Sequence, residues 1–177
     1  MRRRSNTNRP HEPYSLYLDE GISGPTLASL LRKAKMFVFQ YEALLTKNRK
    51  ISDGDVIKRA CASGFVLVSK DTSMEWDDGL EDIISNRARV IFITDQDGGP
   101  VHWASALICS ARHWERELLN NPMGPLTISV NRDGSIRKVA GEDELRKRRN
   151  RLLTGKLARG KRHRLITSDG TYGKAER

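Results

Sequence analysis

The sequence predicts an α/β fold with a mostly parallel sheet, and three observations carry that expectation. Four short runs rich in β-branched and aromatic residues, Tyr14–Leu18, Met36–Gln40, Phe65–Ser69 and Val90–Thr94, alternate with stretches whose apolar residues recur at helical spacing. Several of these runs are apolar throughout, as strands covered by helices on both faces must be. At 177 residues, with 37% hydrophobic residues, the chain can bury one core and leaves little room for a second.

Taken in order, residues 1–13 are a basic arm, and the folded domain spans 14–140. After the first strand, Gly24-Pro25 opens a helix carrying Leu27, Leu30, Leu31 and Ala34 on one side, with Pro suited to the first turn. Ser52-Asp53 is an N-cap signal for a second helix that runs through Val56, Ile57, Ala60 and Cys61 and stops at Gly64. The acidic run Glu75–Asp82 reads as a solvated loop, within which Trp76 offers a flat surface for an RNA base. Trp103, Ala104, Leu107, Ile108, Ala111, Trp114 and Leu118 trace one face of a single long helix ended by Asn120-Asn121-Pro122. Leu126–Val130 and Ser135–Val139 flank Asn131-Arg132-Asp133-Gly134, a β-hairpin added to one edge of the sheet. Residues 141–177 then form a short charged helix, from about Glu142 to Leu153, and a flexible tail from Thr154.

Charge is unevenly spread. Residues 1–15 carry +3 and residues 142–177 carry +7, while 16–141 hold sixteen charges of each sign, so the whole net charge of +10 sits on the two ends. Such ends either keep a protein soluble or bind polyanions by releasing their counterions. Nothing approaches the ~18 consecutive apolar residues of a membrane-spanning helix. The N-terminus lacks the apolar stretch of a secretory signal. Two cysteines, Cys61 and Cys109, do not make a disulfide framework; both read as small core residues of a reduced, cytoplasmic protein.

Candidate chemistry lies just past the strands. Asp19 follows the first, Asp71 the third and Asp95 the fourth, and in an open parallel sheet these positions line the ligand crevice. Asp53 and Asp55, in the first turn of the second helix, reach the same edge if that helix returns to it; otherwise they cap the helix and offset its dipole. Asp95 opens Asp95-Gln96-Asp97-Gly98-Gly99, where Asp and Gly also serve as turn residues. Clustered carboxylates repel unless a cation joins them, and oxygen ligands without His or Cys favour Mg²⁺ or Mn²⁺. Phosphodiester hydrolysis is the chemistry such a site supports. Scattered histidines, no glycine-rich phosphate loop and no dinucleotide fingerprint leave other cofactor chemistry without a signal.

Four segments in this order, Tyr17-Leu18-Asp19-Glu20, Gly24-Pro25-Thr26-Leu27-Ala28, Ser52-Asp53-Gly54-Asp55-Val56-Ile57 and Gly64-Phe65-Val66-Leu67-Val68-Ser69-Lys70-Asp71, resemble PIN-like domains, in particular the small branch that includes VapC-type toxins of toxin–antitoxin pairs. The resemblance covers roughly residues 14–139. It implies a three-layer α/β/α fold and a metal-dependent endoribonuclease that hydrolyses RNA with metal-activated water. The first acidic ligand of the family maps onto Asp19, the helix-start acid onto Asp53 or Asp55, and the third onto Asp71. Many relatives carry a further acid two residues on, where this chain has Ser73. A fourth carboxylate would then come from Asp95, Asp97, Glu75 or Asp77. Lys70, Arg112 and the basic ends are the candidates for contacting RNA phosphates. A cognate antitoxin protein and a homodimer are the partners the resemblance implies. The alternative is a catalytically incomplete scaffold that holds nucleic acid through its basic ends.

Overall fold

The computed structural model describes residues 14–40, 52–76 and 78–168. The basic arm 1–13, Asp77 and the last residues of the expected tail, 169–177, lie outside the described residues. The fold is α/β. Strands β1 (Ser15–Leu18), β2 (Phe37–Gln40), β3 (Val66–Ser69), β4 (Arg89–Ile93) and β5 (Leu126–Val130) are parallel, and β6 (Ile136–Ala140) runs antiparallel to β5 as the expected hairpin. Their order across the sheet is β2-β1-β3-β4-β5-β6.

Strand residues of alternate parity face opposite layers, and the two cores follow from that. Leu16, Leu18, Val66, Val68, Ile91, Ile93, Ile128 and Val130 face α1 (Pro25–Lys33), α4 (Pro100–Cys109) and α5 (Ala111–Asn120), whose Leu27, Leu31, Trp103, Leu107, Trp114 and Leu118 complete that cluster. Leu67, Val90, Phe92 and Ala140 face the opposite layer. It is built by α2 (Asp53–Ala62), α3 (Asp78–Ser85) and α6 (Glu142–Ser168) through Val56, Ile57, Leu80, Ile83 and Leu145. Helices on both sides explain why β3 is buried along its whole length.

Three expectations are corrected. The single long helix is two, broken at Ser110. The Ser110 hydroxyl donates to the carbonyls of Ala106 (2.7 Å) and Leu107 (3.2 Å), and the buried Trp114 indole N–H also donates to Leu107 (3.0 Å). Ala106 still receives the Ser110 amide, but the Leu107 carbonyl, which the Ala111 amide would have taken in a continuous helix, accepts from these two side chains instead. The hairpin turn rests on this junction: Gly134, at φ +80°, has no room for a side chain, since a Cβ there would lie 2.7 Å from Cys109 Cβ. Secondly, the acidic stretch read as a loop is a short 3-10 turn, Thr72–Glu75, followed by α3, because Leu80, Ile83 and Ile84 all go into the core. Thirdly, α6 does not end near Leu153. It continues to Ser168 through a proline-free stretch in which eight strong helix formers (Lys, Arg, Leu and Ala) offset Gly155 and Gly160.

Cysteine placement also differs from expectation. Cys61 packs half-buried against the α2–α3 layer, where burial pushes its thiol upward and the nearby Arg89 charge only partly offsets this; Cys109 is exposed. Titration with a chromogenic disulfide at neutral pH should therefore consume one thiol quickly and the second severalfold more slowly, with Cys109→Ser abolishing the fast phase. Equal rates for both thiols would contradict this placement.

Candidate functional site

The chain enters the sheet at β1, adds β2 on one side through α1, then crosses to the other side of β1 through α2 to form β3. Because α1 and α2 lie on opposite faces, the connections diverge between β1 and β3. A crevice opens at such a switch point beyond the carboxyl ends of the strands. Here that crevice is a cleft of about 490 Å³ lined by Asp19, Glu20, Gly21, Asp53, Lys70, Asp71 and Gln96.

Asp19 is the buried floor of the cleft, 9% exposed. Its Oδ1 accepts from the Glu20 amide (2.7 Å), capping the 3-10 turn Glu20–Ile22, and its Oδ2 accepts from the Ser69 hydroxyl (2.7 Å). Ser69 Oγ in turn accepts from the Asp71 amide (3.0 Å), so one hydroxyl at the end of β3 ties the two carboxylate-bearing loops together. Asp71 is held from the other side. Its Oδ1 accepts from both the amide (2.9 Å) and the hydroxyl (2.6 Å) of Ser73, so Ser73 serves as a double donor to Asp71. Asp53, the first residue of α2, lines the same cleft from the helix start. The cation facing these acids is Lys70, whose stem passes Gly21 and whose Nζ sits 5.3 Å from the centroid of the Trp103 ring.

The other expected residues lie elsewhere. Asp55 accepts from the Ser52 hydroxyl (2.9 Å) at the exposed start of α2, and its amide bonds back to Ser52, so it belongs to the helix cap. Asp95 turns away from the cleft. Its Oδ2 meets the Arg132 guanidinium at 3.6 Å, a charge contact too long for a hydrogen bond, in a broad hollow of about 630 Å³ shared with Thr94, Asn131 and Asp133. Within that hollow the Ser135 hydroxyl and amide hold the Asp133 carboxyl below its usual range. Arg112 is exposed on α5 and does not line the cleft. Glu75 is not near a fourth-ligand position either: it is buried in an ion pair with Arg148 (2.8 Å). Of the carboxylates weighed from sequence, the fold thus brings Asp19, Asp53 and Asp71 to one cleft.

Sequence reasoning missed Ser69 and Gln96. Ser69 carried a signal, a polar residue ending an otherwise apolar strand directly before Lys70-Asp71, whereas Gln96 carried none. No group of three or more His, Cys, Asp or Glu among the described residues is drawn together closely enough to cage a metal ion. The oxygens nevertheless suit an ion that keeps its waters. Mg²⁺ commonly takes one or two carboxylates, several waters and a substrate phosphate; both oxygens of Asp19 keep a lone pair beyond their single hydrogen bonds, and on Asp71 it is Oδ2, away from the doubly bonded Oδ1, that is placed to serve. No protein-family model, no curated protein and no solved structure matches the chain.

Proposed function

We propose that the chain is a divalent-metal-dependent ribonuclease whose reaction site is the cleft between β1 and β3, and that it acts as the toxin of a toxin–antitoxin pair. The observation that carries this reading is the convergence of Asp19, Asp53 and Asp71, with Lys70 beside them, at the switch point of a parallel sheet. Asp19 and Asp71 would hold Mg²⁺ or Mn²⁺, oriented by Ser69 and Ser73 as outer-shell donors. A bound ion supplies an activated water and neutralises charge on the phosphate. Lys70, resting on an indole face, places a cation where a phosphate oxygen would arrive. The products would carry a 5′-phosphate and a 3′-hydroxyl, and a neutralising antitoxin would act by covering the cleft or placing a cation in it.

Mn²⁺ titration with thermal unfolding, paired with cleavage of end-labelled single-stranded RNA, tests this. At a hundredfold excess over Kd, one-site binding should raise Tm by roughly 5–10 °C, and cleavage should stop in EDTA. An unmoved Tm together with cleavage that survives EDTA would reject the reading.

A second reading, a scaffold that binds polyanions through its basic end, is favoured by α6. That helix runs on through Ser168, and residues 142–168 carry ten Lys/Arg against three Asp/Glu. It predicts metal-independent binding that weakens steeply with salt and is lost on truncation after Gly155, a cut that spares the packed residues Leu145, Arg148 and Leu152.

A further inference from the structure

A second, smaller hollow of about 200 Å³ is lined by Thr72, Glu75, Trp76, Thr94, Ser129, Arg137 and Lys138. It is adjacent to the cleft in sequence: Thr72 follows Asp71, and Thr94 precedes Asp95-Gln96. We propose that this hollow receives one nucleotide of a single-stranded RNA, with its base against Trp76 and its phosphate on Arg137 and Lys138. The proposal rests on the ribonuclease reading of the neighbouring cleft and supplies a subsite for its substrate.

Four features point to a nucleotide. Trp76 is 49% exposed, unlike the two buried tryptophans, and presents a flat apolar surface at the mouth. Bases stack on such rings whatever their sequence. Glu75 is 5% exposed; its Oε2 is taken by Arg148, but its Oε1 is buried without a hydrogen-bond partner, an acceptor that calls for an N–H such as a base edge provides. The cations are aimed by a bulge. Ser129 pairs with Lys138 and Val130 with Ile136, which leaves Arg137 as the extra residue of β6 and lets consecutive residues, normally on opposite faces, line one hollow. The hollow's size is the fourth feature, since it lies below the ~300–1,000 Å³ of sites for drug-sized ligands and suits a single base.

A bare phosphate would leave the Glu75 oxygen and the indole unused, and an acidic peptide would meet the Glu75 carboxylate with like charge. Lys138 Nζ lies 5.1 Å from the Trp76 centroid, and Arg148 lies 5.4 Å from it. Arg148 is fixed by burial, whereas the lysine stem is free to swing to a phosphate as a base takes its place on the ring.

The test uses the full-length protein in EDTA, so that binding is read without cleavage, with a short fluorescein-labelled oligoribonucleotide and anisotropy. Trp76→Ala should weaken binding roughly tenfold, and Trp76→Phe should hold it within about twofold. Arg137→Gln/Lys138→Gln should weaken it and flatten the slope of log Kd against log salt by about 1.4, the share of two cations on a single strand. Circular dichroism and Tm establish that each variant is folded, and the surface pair carries the test even if Trp76→Ala is not. Unchanged affinity in the surface pair and in a folded Trp76 variant overturns the proposal. So does displacement of the label by polyglutamate but not by unlabelled RNA, which would assign the hollow to an acidic protein segment. The two readings fail separately: metal-dependent cleavage with no effect of Trp76 sinks the subsite alone, while Trp76-dependent binding without metal-dependent cleavage sinks the reaction site and leaves the subsite standing.

Discussion

Asp19→Asn should lower RNA cleavage by at least about a hundredfold while leaving the protein folded. The expected loss is large because the substitution removes the charge from the most buried acid of the cleft. The fold survives for a reason visible in the hydrogen bonds. Asp19 takes one donor on each oxygen, the Glu20 amide on Oδ1 and the Ser69 hydroxyl on Oδ2. An asparagine keeps the first with its carbonyl oxygen and turns its NH₂ toward Ser69, whose hydroxyl has lone pairs for both that group and the Asp71 amide. Asn is also a good cap residue. Asp71→Asn should behave similarly. Ser69→Ala, which removes only the link between the two acids, should cost about 10–100-fold. Asp55→Asn and Asp95→Asn, outside the cleft, should cleave within about twofold of the parent, since exposed polar changes away from a site do little. Steady-state cleavage of end-labelled RNA at saturating Mn²⁺, with Tm measured alongside, checks the set. Parental activity in both the Asp19 and Asp71 variants would end the assignment.

Strand positions were legible because burial on both faces leaves continuous apolar runs, and the hairpin was legible from Asn131–Gly134 between two such runs. The layer arrangement followed, and with it the prediction that strand-end acids meet. What the sequence left open was local geometry. Asp53 and Asp55 differ by two helix positions, about 200° of rotation, so only one faces the cleft, and the cap that Ser52 makes with Asp55 decides which. Asp95 follows β4 just as Asp71 follows β3, yet Arg132 from the hairpin turn draws it elsewhere, a pairing between residues far apart in the chain. The break at Ser110 depends on the Trp114 indole reaching Leu107, which periodicity cannot register. In α3, by contrast, the signal was present: Leu80, Ile83 and Ile84 have helical spacing, and the acidic residues around them obscured it.

Arg148→Met should destabilise the fold by about 3–5 kcal/mol, seen as a Tm lowered by roughly 6–20 °C. Arg148 is 2% exposed, and its guanidinium meets Glu75 at 2.8 Å and Glu144 at 3.5 Å. Removing it leaves the buried Glu75 carboxylate without its ion-pair partner; Arg137 and Lys138 line the same hollow, but neither forms an ion pair with it among the described residues. The cost is that of a buried unpaired charge, and the pair itself is worth far less. One Glu75 oxygen and one Arg148 nitrogen already lack hydrogen bonds, so the interaction only partly repays its desolvation. Glu75→Gln/Arg148→Met should therefore recover most of the loss, and the difference between the double variant and the sum of the singles measures the coupling. A Tm for Arg148→Met within roughly 2 °C of the parent would show that the carboxylate finds other solvation. The same arginine joins structure to the proposed substrate path. With Leu145 and Leu152 at helical spacing it fastens the first turns of α6 to the sheet, and its guanidinium lies 5.4 Å from the Trp76 ring centroid. Lost stability in Arg148→Met should thus be accompanied by weaker oligoribonucleotide binding, and the double variant, which restores stability without restoring the cation, should regain Tm but not affinity.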